Sequence, residues 1–180
     1  MKLVILDRDG VINQDSDDYV KSVDEWIPLP GSAEAIARLS QAGIIVAVAT
    51  NQSGIARGYF SEQTLADMHA KMHGLVEQAG GKISQVLWCP HGPDDQCSCR
   101  KPLPGMVSSL LNEFNVNASD AIMVGDSPRD LEAGAAVGVL PFLVKTGKGQ
   151  RTLDAGKKLP EGTGIYEDLS QLVAELLKQS

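Results

Sequence analysis

The chain has 180 residues, 43% of them hydrophobic, which is enough to bury one sizeable core. Its formal net charge of −7 argues against a protein that binds nucleic acid through a broad basic face, and no stretch approaches the roughly 18 apolar residues of a membrane span. The amino terminus runs into an acidic motif rather than the apolar region of a signal peptide. We therefore expect one domain over residues 1–180, cytoplasmic and monomeric, with no nucleic-acid or membrane partner.

Short apolar, β-branched runs alternate along the chain with segments of helical length. In chain order the predicted elements are a strand at 2–6, a helix at 32–41, a strand at 44–49, a helix from the N-cap Ser61 to Gly80, a strand at 83–88, a helix opening at Pro104-Gly105, a strand at 121–124, a helix at 128–137, a strand at 140–144, a surface loop at 146–164 and a helix at 169–178. This alternation predicts an α/β fold, a three-layer doubly wound (Rossmann-like) parallel sheet with helices on both faces.

Two carboxylates stand two positions apart where the first predicted strand ends, in the run Leu6-Asp7-Arg8-Asp9-Gly10. Beyond the strand end both can face one pocket. Phosphoryl transfer to an enzyme carboxylate needs an ionised nucleophile, which Asp7 suits, and a proton donor for the leaving oxygen, which Asp9 suits. For this motif alone the alternative stays open that it is a turn chosen for local hydrogen bonding.

Three further segments end predicted strands on the same edge of the sheet, where the ligands of open parallel sheets collect. The hydroxyl and amide groups of Thr50 and Asn51 can hold phosphate oxygens, and Lys101 can neutralise them. Asp126 offers a hard oxygen ligand for magnesium. We expect these side chains to converge with the first motif on one site.

All three cysteines of the chain lie within eleven positions and are joined by a histidine. Cys89, His91, Cys97 and Cys99 give three thiols and one imidazole, the ligand number and softness of a closed tetrahedral zinc site. Four protein ligands leave no open position, so a structural zinc in a loop over 89–101 is predicted. That zinc is expected to fix the loop that presents Arg100 to the substrate.

Taken together, these segments resemble the four ordered motifs of the haloacid dehalogenase-like phosphatases over nearly the whole chain. The resemblance implies that Asp7 attacks phosphorus to form an aspartyl-phosphate, and that Asp9 protonates the leaving alcohol and then activates water. It implies that Thr50 and Lys101 hold the phosphoryl group. It also implies a magnesium ion bound by Asp7, the main-chain carbonyl of Asp9, and Asp126.

Two further features leave alternatives open. Asp130, four residues after Asp126, either orients the metal shell or caps the helix that follows it. His69 and His73 lie four apart on the long predicted helix and could share a metal, but no glutamate follows His69 as in the metalloprotease pattern. We expect both to be ordinary helix-face histidines.

Members of this family usually select substrates with an inserted cap domain, but core elements and the zinc loop fill the spans between the motifs. A capless fold with an open pocket is therefore expected. Substrate choice then falls to short loops. The residues expected to contact the substrate, besides Thr50 and Lys101, are Asp15, Asp18, Tyr19, Asn51, Gln52, Ser53, Arg57 and Arg100.

The unbroken run from Thr50 to Gly58 and the Cys-Arg-Lys-Pro run from Cys99 resemble the capless, zinc-bearing family members that act on sugar bisphosphates. That resemblance implies removal of the C7 phosphate from a heptose 1,7-bisphosphate, in the synthesis of ADP-heptose for the lipopolysaccharide core. Arg57 and Arg100 are expected on the second phosphate. One alternative is a histidinol-phosphate phosphatase, whose loop carries an acidic residue where Ser53 stands. The other is an inactive, zinc-stabilised interaction module.

Overall fold

The computed structural model of the protein describes residues 1–179, and its framework is a six-stranded parallel sheet. The strands are β1 Leu3–Leu6, β2 Ile45–Asn51, β3 Gln85–Cys89, β4 Ala121–Gly125, β5 Leu140–Val144 and β6 Gly164–Tyr166. The helices are α1 Ser32–Gln41, α2 Glu62–Gln78, α3 Gly105–Phe114, α4 Pro128–Ala135, α5 Gly149–Asp154 and α6 Leu169–Lys178. The sequence prediction of a doubly wound α/β fold is confirmed.

The central strand β1 is apolar on both faces, as expected for a strand that helices cover on both sides. All four of its residues are completely buried. Val4 and Leu6 belong to the core cluster that packs against α1, α2 and α6, whereas Leu3 and Ile5 point into the opposite cluster under α3 and α4. This alternation follows from the two-residue period of a strand, and each buried side chain stabilises the fold by about 1.5–3 kcal/mol.

The strand order is β3-β2-β1-β4-β5-β6, so the chain reverses its direction of travel across the sheet after β3. β1 pairs with β2 on one side and with β4 on the other. In open parallel sheets such a switch point leaves a crevice at the carboxyl ends of the central strands. The residues that follow β1, β2 and β4 are therefore brought to one place.

The helix ends are specified locally. The Ser61 side chain accepts a hydrogen bond from the Thr64 amide at the start of α2, as predicted, and Asp168 caps α6 in the same way on the Gln171 amide. Between the motifs, residues 7–31, 52–61 and 90–104 contain no helix or strand, and the other elements of these spans belong to the core, so the capless prediction is confirmed.

The prediction of a surface loop over 146–164 is wrong. This segment contains α5 and leads into β6, and two of its residues, Gly149 and Thr152, are buried. The segment has few apolar residues, so hydrophobic periodicity gave no signal for the short helix. Thr152 Oγ1 instead donates to the main-chain oxygen of Asp126 at 3.1 Å, which fastens the segment to the end of β4. Within residues 1–179, no helix is long and apolar enough to cross a membrane.

Candidate active site

A cavity of about 310 Å³ opens at the carboxyl ends of β1, β2 and β4. It brings together most of the site residues predicted from the sequence, namely Asp7, Asp9, Asp15, Tyr19, Asn51, Gln52, Ser53, Arg57, Arg100, Lys101 and Asp126. Two of the predicted residues, Asp18 and Thr50, are not part of its lining. Asp18 is exposed on the loop after β1, and Thr50 is buried under Gln52, whose Nε2 donates to Thr50 Oγ1 at 2.9 Å.

A fully buried lysine ties the floor of the cavity together. Lys101 Nζ donates to Asp7 Oδ1 at 2.9 Å and to the main-chain oxygen of Ala49 at 2.8 Å, and it lies 2.7 Å from Asp130 Oδ1. The first two acceptors are hydrogen-bonded to the ammonium group, and Asp130 forms a close ion pair with it. Although burial opposes it, the carboxylates of Asp130 and Asp7 hold the pKa of Lys101 above its usual range. The lysine is therefore charged at neutral pH.

Asp7 carries an unusual balance of charge. Burial, reinforced by the nearby Asp130 carboxylate, raises the pKa of Asp7 to about 7 in spite of the Lys101 ammonium. The hydrogen bond from Lys101 falls on Oδ1, and within residues 1–179 no side chain donates to Oδ2. The second oxygen is thus free to react or to bind a cation.

Asp126 lies close to this pair. Burial, followed by Asp130 and Asp7, raises the pKa of Asp126 well above its usual value. Carboxylate oxygens of Asp7, Asp126 and Asp130 all lie within 4.8 Å of one another. Three crowded acidic groups beside a single lysine leave uncompensated negative charge. A divalent cation that prefers hard oxygen ligands would offset this charge. The donor set fits magnesium.

Asp9 is held in place by three neighbouring side chains. Asn13 Nδ2 donates to Asp9 Oδ1 at 2.8 Å, and Arg8 Nε donates to the same oxygen at 3.0 Å. Gln52 Nε2 donates to Oδ2 at 3.1 Å. Although burial opposes it, the Arg8 charge and these hydrogen bonds lower the pKa of Asp9.

Asp130 performs the capping role that the sequence left open and also contacts the floor of the cavity. Its Oδ2 accepts from the Ser127 amide at 3.2 Å and from Ser127 Oγ at 2.9 Å, which forms a capping box at the start of α4. Its Oδ1 faces Lys101. The helix cap and the buried ion pair therefore share one carboxylate.

The segment wrongly predicted as a surface loop builds one wall of the site. The Lys148 amide donates to Asp126 Oδ2 at 2.8 Å, and Thr146 Oγ1 donates to the main-chain oxygen of Gly10 at 2.6 Å. The Lys148 ammonium lies 3.3 Å from Asp15 Oδ2. Sequence analysis missed Lys148, because it enters the site through its main-chain amide, which leaves no signal in the sequence.

Three arginines, Arg57, Arg100 and Arg129, stand on one side of the cavity mouth, and we call them the arginine rim. None makes a salt bridge within residues 1–179. Burial, followed by repulsion from Arg129 and Arg57, lowers the pKa of Arg100. On the other side, by contrast, Asp15 and Asp17 are paired with Lys148 and Arg151. Sequence analysis missed Arg129, because a single arginine at the start of a helix carries no pattern.

The predicted zinc ligands also come together. Cys89 Sγ lies 3.8 Å from Cys97 Sγ and 3.4 Å from His91 Nδ1, and Cys99 Sγ lies 3.5 Å from the same nitrogen. A tetrahedron with zinc–sulfur bonds of about 2.3 Å has edges of about 3.8 Å, which the Cys89–Cys97 distance matches, whereas Cys99 Sγ lies closer to Cys89 Sγ, at 2.8 Å. Main-chain amides, first that of Arg100, donate to Cys97 and lower the pKa of its thiol to about 7, which favours a metal-binding thiolate.

Comparisons with known proteins place this site in a family. Residues 3–138 match the family model described as haloacid dehalogenase-like hydrolase. The chain belongs to the haloacid dehalogenase-like hydrolases. A D-glycero-beta-D-manno-heptose-1,7-bisphosphate 7-phosphatase from Pseudomonas aeruginosa is 60% identical over 176 residues, covering 98% of each chain. The corresponding protein of Neisseria meningitidis is 59% identical, with 97% of this chain and 96% of the relative covered.

A solved structure of another haloacid dehalogenase-like hydrolase has the same fold throughout. It is the D,D-heptose 1,7-bisphosphate phosphatase from Bordetella bronchiseptica, complexed with magnesium and phosphate. It superimposes with a TM-score of 0.97, at 55% identity and with 100% of both chains covered.

The substitution Gly10→Ala would test how closely the first motif of this hydrolase packs against Asp126. Gly10 has a φ of +88°, and a Cβ there would overlap Asp126 Oδ2, whereas Gly43 has a φ of +82° and a Cβ there would meet nothing within 4 Å. Gly43→Ala should cost about 1–2 kcal/mol of stability for the left-handed backbone alone. Gly10→Ala should cost at least about 1 kcal/mol more, because Asp126 must move.

Urea unfolding of both variants measures this difference, and phosphate release measures its effect on the site. Equal losses of stability, together with full activity of Gly10→Ala, would show that Asp126 does not depend on this contact.

Proposed function

We propose that this chain removes the C7 phosphate of D-glycero-D-manno-heptose 1,7-bisphosphate, in ADP-heptose synthesis for the lipopolysaccharide core. The observation that carries the proposal is one cavity with two phosphate-binding parts. Its floor holds a carboxylate with a free oxygen, and its mouth holds an arginine rim without carboxylate partners. Relatives that are 55–60% identical over nearly their whole length carry the name of this activity.

The reaction proceeds in two steps on the residues of the floor. Asp7 Oδ2 attacks phosphorus, the bond from phosphorus to the C7 oxygen breaks, and the departing oxygen takes its proton from Asp9. Asp9, now a carboxylate, takes a proton from a water molecule as that water attacks the aspartyl-phosphate. The second step releases inorganic phosphate and restores the Asp7 carboxylate.

Asp9 has to carry a proton when the alcohol leaves, although the pKa of its carboxyl is lowered by Arg8 and by hydrogen bonds from Asn13 and Gln52. A phosphate dianion beside Asp9 acts in the opposite direction, because a like charge favours the neutral form of a carboxylic acid. Bound substrate therefore raises the pKa of Asp9 when the proton is required.

Magnesium would be held by Asp7, the main-chain oxygen of Asp9, and Asp126, with Asp130 close by. When bound it supplies positive charge that offsets repulsion between the phosphate and the carboxylates of the floor. The buried Lys101 contributes a fixed charge on the same side. Asn51 and Lys101 exchange two hydrogen bonds, of 3.1 and 3.0 Å, which fix the lysine backbone to the end of β2.

The arginine rim favours a bisphosphate over histidinol phosphate, the first alternative. Guanidinium groups suit a second phosphate, because their planar fork can bind two oxygens at once. Histidinol phosphate brings amines in place of a second anion, and Arg57, Arg100 and Arg129 would repel them. The other alternative, an inactive module, gives no reason for a free Asp7 oxygen in a charged cavity.

The Cys89, His91, Cys97 and Cys99 cluster is proposed to hold a structural zinc. Its role would be to position Arg100, whose Nη1 donates to the main-chain oxygen of His91 at 3.1 Å. We also propose that the chain acts as one cytoplasmic, monomeric domain. All six strands belong to one sheet, which supports a single domain.

The nucleophile is tested by Asp7→Asn. An amide keeps the size of the side chain but loses the attacking charge, so phosphate release from heptose 1,7-bisphosphate should fall by at least about 10⁴-fold, while the circular dichroism spectrum stays native. Ser16→Ala is the matched control, since Ser16 lines the same cavity and has no part in the proposed chemistry. Turnover of Asp7→Asn close to that of the unmodified enzyme would rule out this nucleophile.

The arginine rim is tested by Arg57→Ala, Arg100→Ala and Arg129→Ala. Each should lower kcat/KM for the bisphosphate by about 10-fold or more, because a charge-assisted hydrogen bond is worth about 1.5–3 kcal/mol. Each should change kcat/KM for heptose 7-phosphate by less than about threefold. Arg151→Ala is the control, since that guanidinium is already paired with Asp17. Equal losses on both substrates would contradict this assignment of the rim.

The zinc cluster is tested by metal analysis and Cys97→Ser. Protein purified without chelator should contain one zinc per chain, and magnesium should still be required for turnover. Cys97→Ser should lose the zinc and several degrees of Tm, because a structural metal contributes folding free energy. Zinc-free protein of full stability and activity would count against the site.

A further inference from the structure

A buried histidine behind the cavity contacts the first motif. His69 lies on α2 and is only 6% exposed, and its Nε2 is 3.3 Å from Nη1 of Arg8, a residue with no exposed surface at all. His69 thus belongs to the buried face of α2, and among residues 1–179 it is not part of a cluster of metal-ligating side chains. Its neighbour His73 does not share this contact.

The chemistry of the pair defines which atom donates. A guanidinium group has only N–H donors, so Nε2 of His69 must be the acceptor and the ring proton must sit on Nδ1. Burial, followed by the Arg8 charge and His73, lowers the pKa of His69 to about 3, and only Asp9 acts against this. The ring is therefore neutral and remains an acceptor throughout the working range of pH.

Arg8 transmits this contact to Asp9. Its Nε and Nη2 lie 3.0 and 2.8 Å from Asp9 Oδ1, the same oxygen that accepts from Asn13. Oδ1 is thus surrounded by fixed donors, whereas within residues 1–179 the side-chain amide of Gln52 alone donates to Oδ2. Oδ2 is the oxygen left to exchange a proton with the leaving group.

We propose that His69 is a positioning residue for proton transfer by Asp9. By accepting from Nη1 it fixes the rotation of the Arg8 guanidinium, which in turn holds Asp9 Oδ1 and presents Oδ2 to the departing oxygen. The inference rests on the proposed function, in which Asp9 is the acid. The competing explanation is that His69 only fills space beside Trp88, whose ring centroid is 6.1 Å away.

Removing the acceptor would leave a buried N–H of Arg8 without a partner, which costs about 1–3 kcal/mol and favours a rotated guanidinium. The effect of this rotation on the reaction rate depends on the leaving group. A sugar alkoxide is a poor leaving group that needs a proton, whereas p-nitrophenolate leaves without one. In the first step, formation of the aspartyl-phosphate, a fault in proton delivery therefore slows the sugar phosphate alone, whereas a general loss of packing slows that step for both substrates.

The experiment compares His69→Leu, which removes the acceptor, with His69→Gln, whose side-chain oxygen retains one. For heptose 1,7-bisphosphate we expect His69→Leu to lower kcat at least about tenfold, a part of the 10²–10⁴-fold effect of general acid catalysis, with KM changed less than twofold. For p-nitrophenyl phosphate the rate of p-nitrophenolate release in the first turnover, which precedes the activation of water by Asp9, should change less than twofold. His69→Gln should recover most of the loss. Equal losses on both substrates, no loss, or no rescue by glutamine would overturn the proposal.

Two further measurements keep the outcome interpretable. In the first turnover, Asp9→Asn should show the same leaving-group dependence more strongly, and if it does not, the acid role of Asp9 fails whatever His69 does. In the unmodified enzyme, the ¹⁵N shifts of the His69 ring should show a protonated Nδ1 and an unprotonated Nε2 from pH 5 to 8. The opposite tautomer, or titration in this range, would refute the contact even if His69→Leu did not fold.

Discussion

The buried ammonium of Lys101 is the interaction on which the site depends. It joins the end of β1, through Asp7, to the cap of α4, through Asp130, and it also donates to the main chain of β2. Loss of one partner from such a buried pair costs about 3–5 kcal/mol, because an uncompensated charge remains in the interior. The residues of the cavity floor thus also stabilise the sheet. The geometry of the nucleophile therefore persists whether or not substrate is bound.

The charges of the cavity floor do not cancel, and an excess of negative charge remains there. Three carboxylates share one lysine, so the pKa values of Asp7 and Asp126 are raised, chiefly by burial and then by their acidic neighbours. A divalent cation relieves this repulsion and simultaneously makes the carboxylates available in their ionised form. At the mouth of the cavity, the arginine rim instead leaves an excess of positive charge. In the proposed function, a substrate with an anion at each end would place one phosphate on the floor and the other at the rim.

Much of the fold and of the candidate site was predictable from the sequence, and the residues that the sequence analysis missed share one property. The Asp7 and Asp9 motif, the cysteine cluster and the strand ends are local patterns, and parallel strands bring their carboxyl ends together whatever the helix packing is. Lys148, Arg129 and His69 belong to no local pattern. Lys148 enters the site through a main-chain amide, which has no sequence signature, and His69 through contact with a motif 61 positions away. Only the tertiary fold reveals such contacts.

The open pocket must admit one of the two phosphates of the sugar to Asp7, and its depth distinguishes between them. The Asp7 side chain is only 12% exposed, so the reacting phosphate must reach below the level of the surrounding loops. A phosphate on an exocyclic carbon, such as C7, has a slender arm that can enter. A phosphate attached directly to the ring brings the bulk of the sugar with it and is kept at the mouth, where Arg100 and its neighbours lie. We propose that regiochemistry follows from shape on the floor and charge at the rim, without a cap domain.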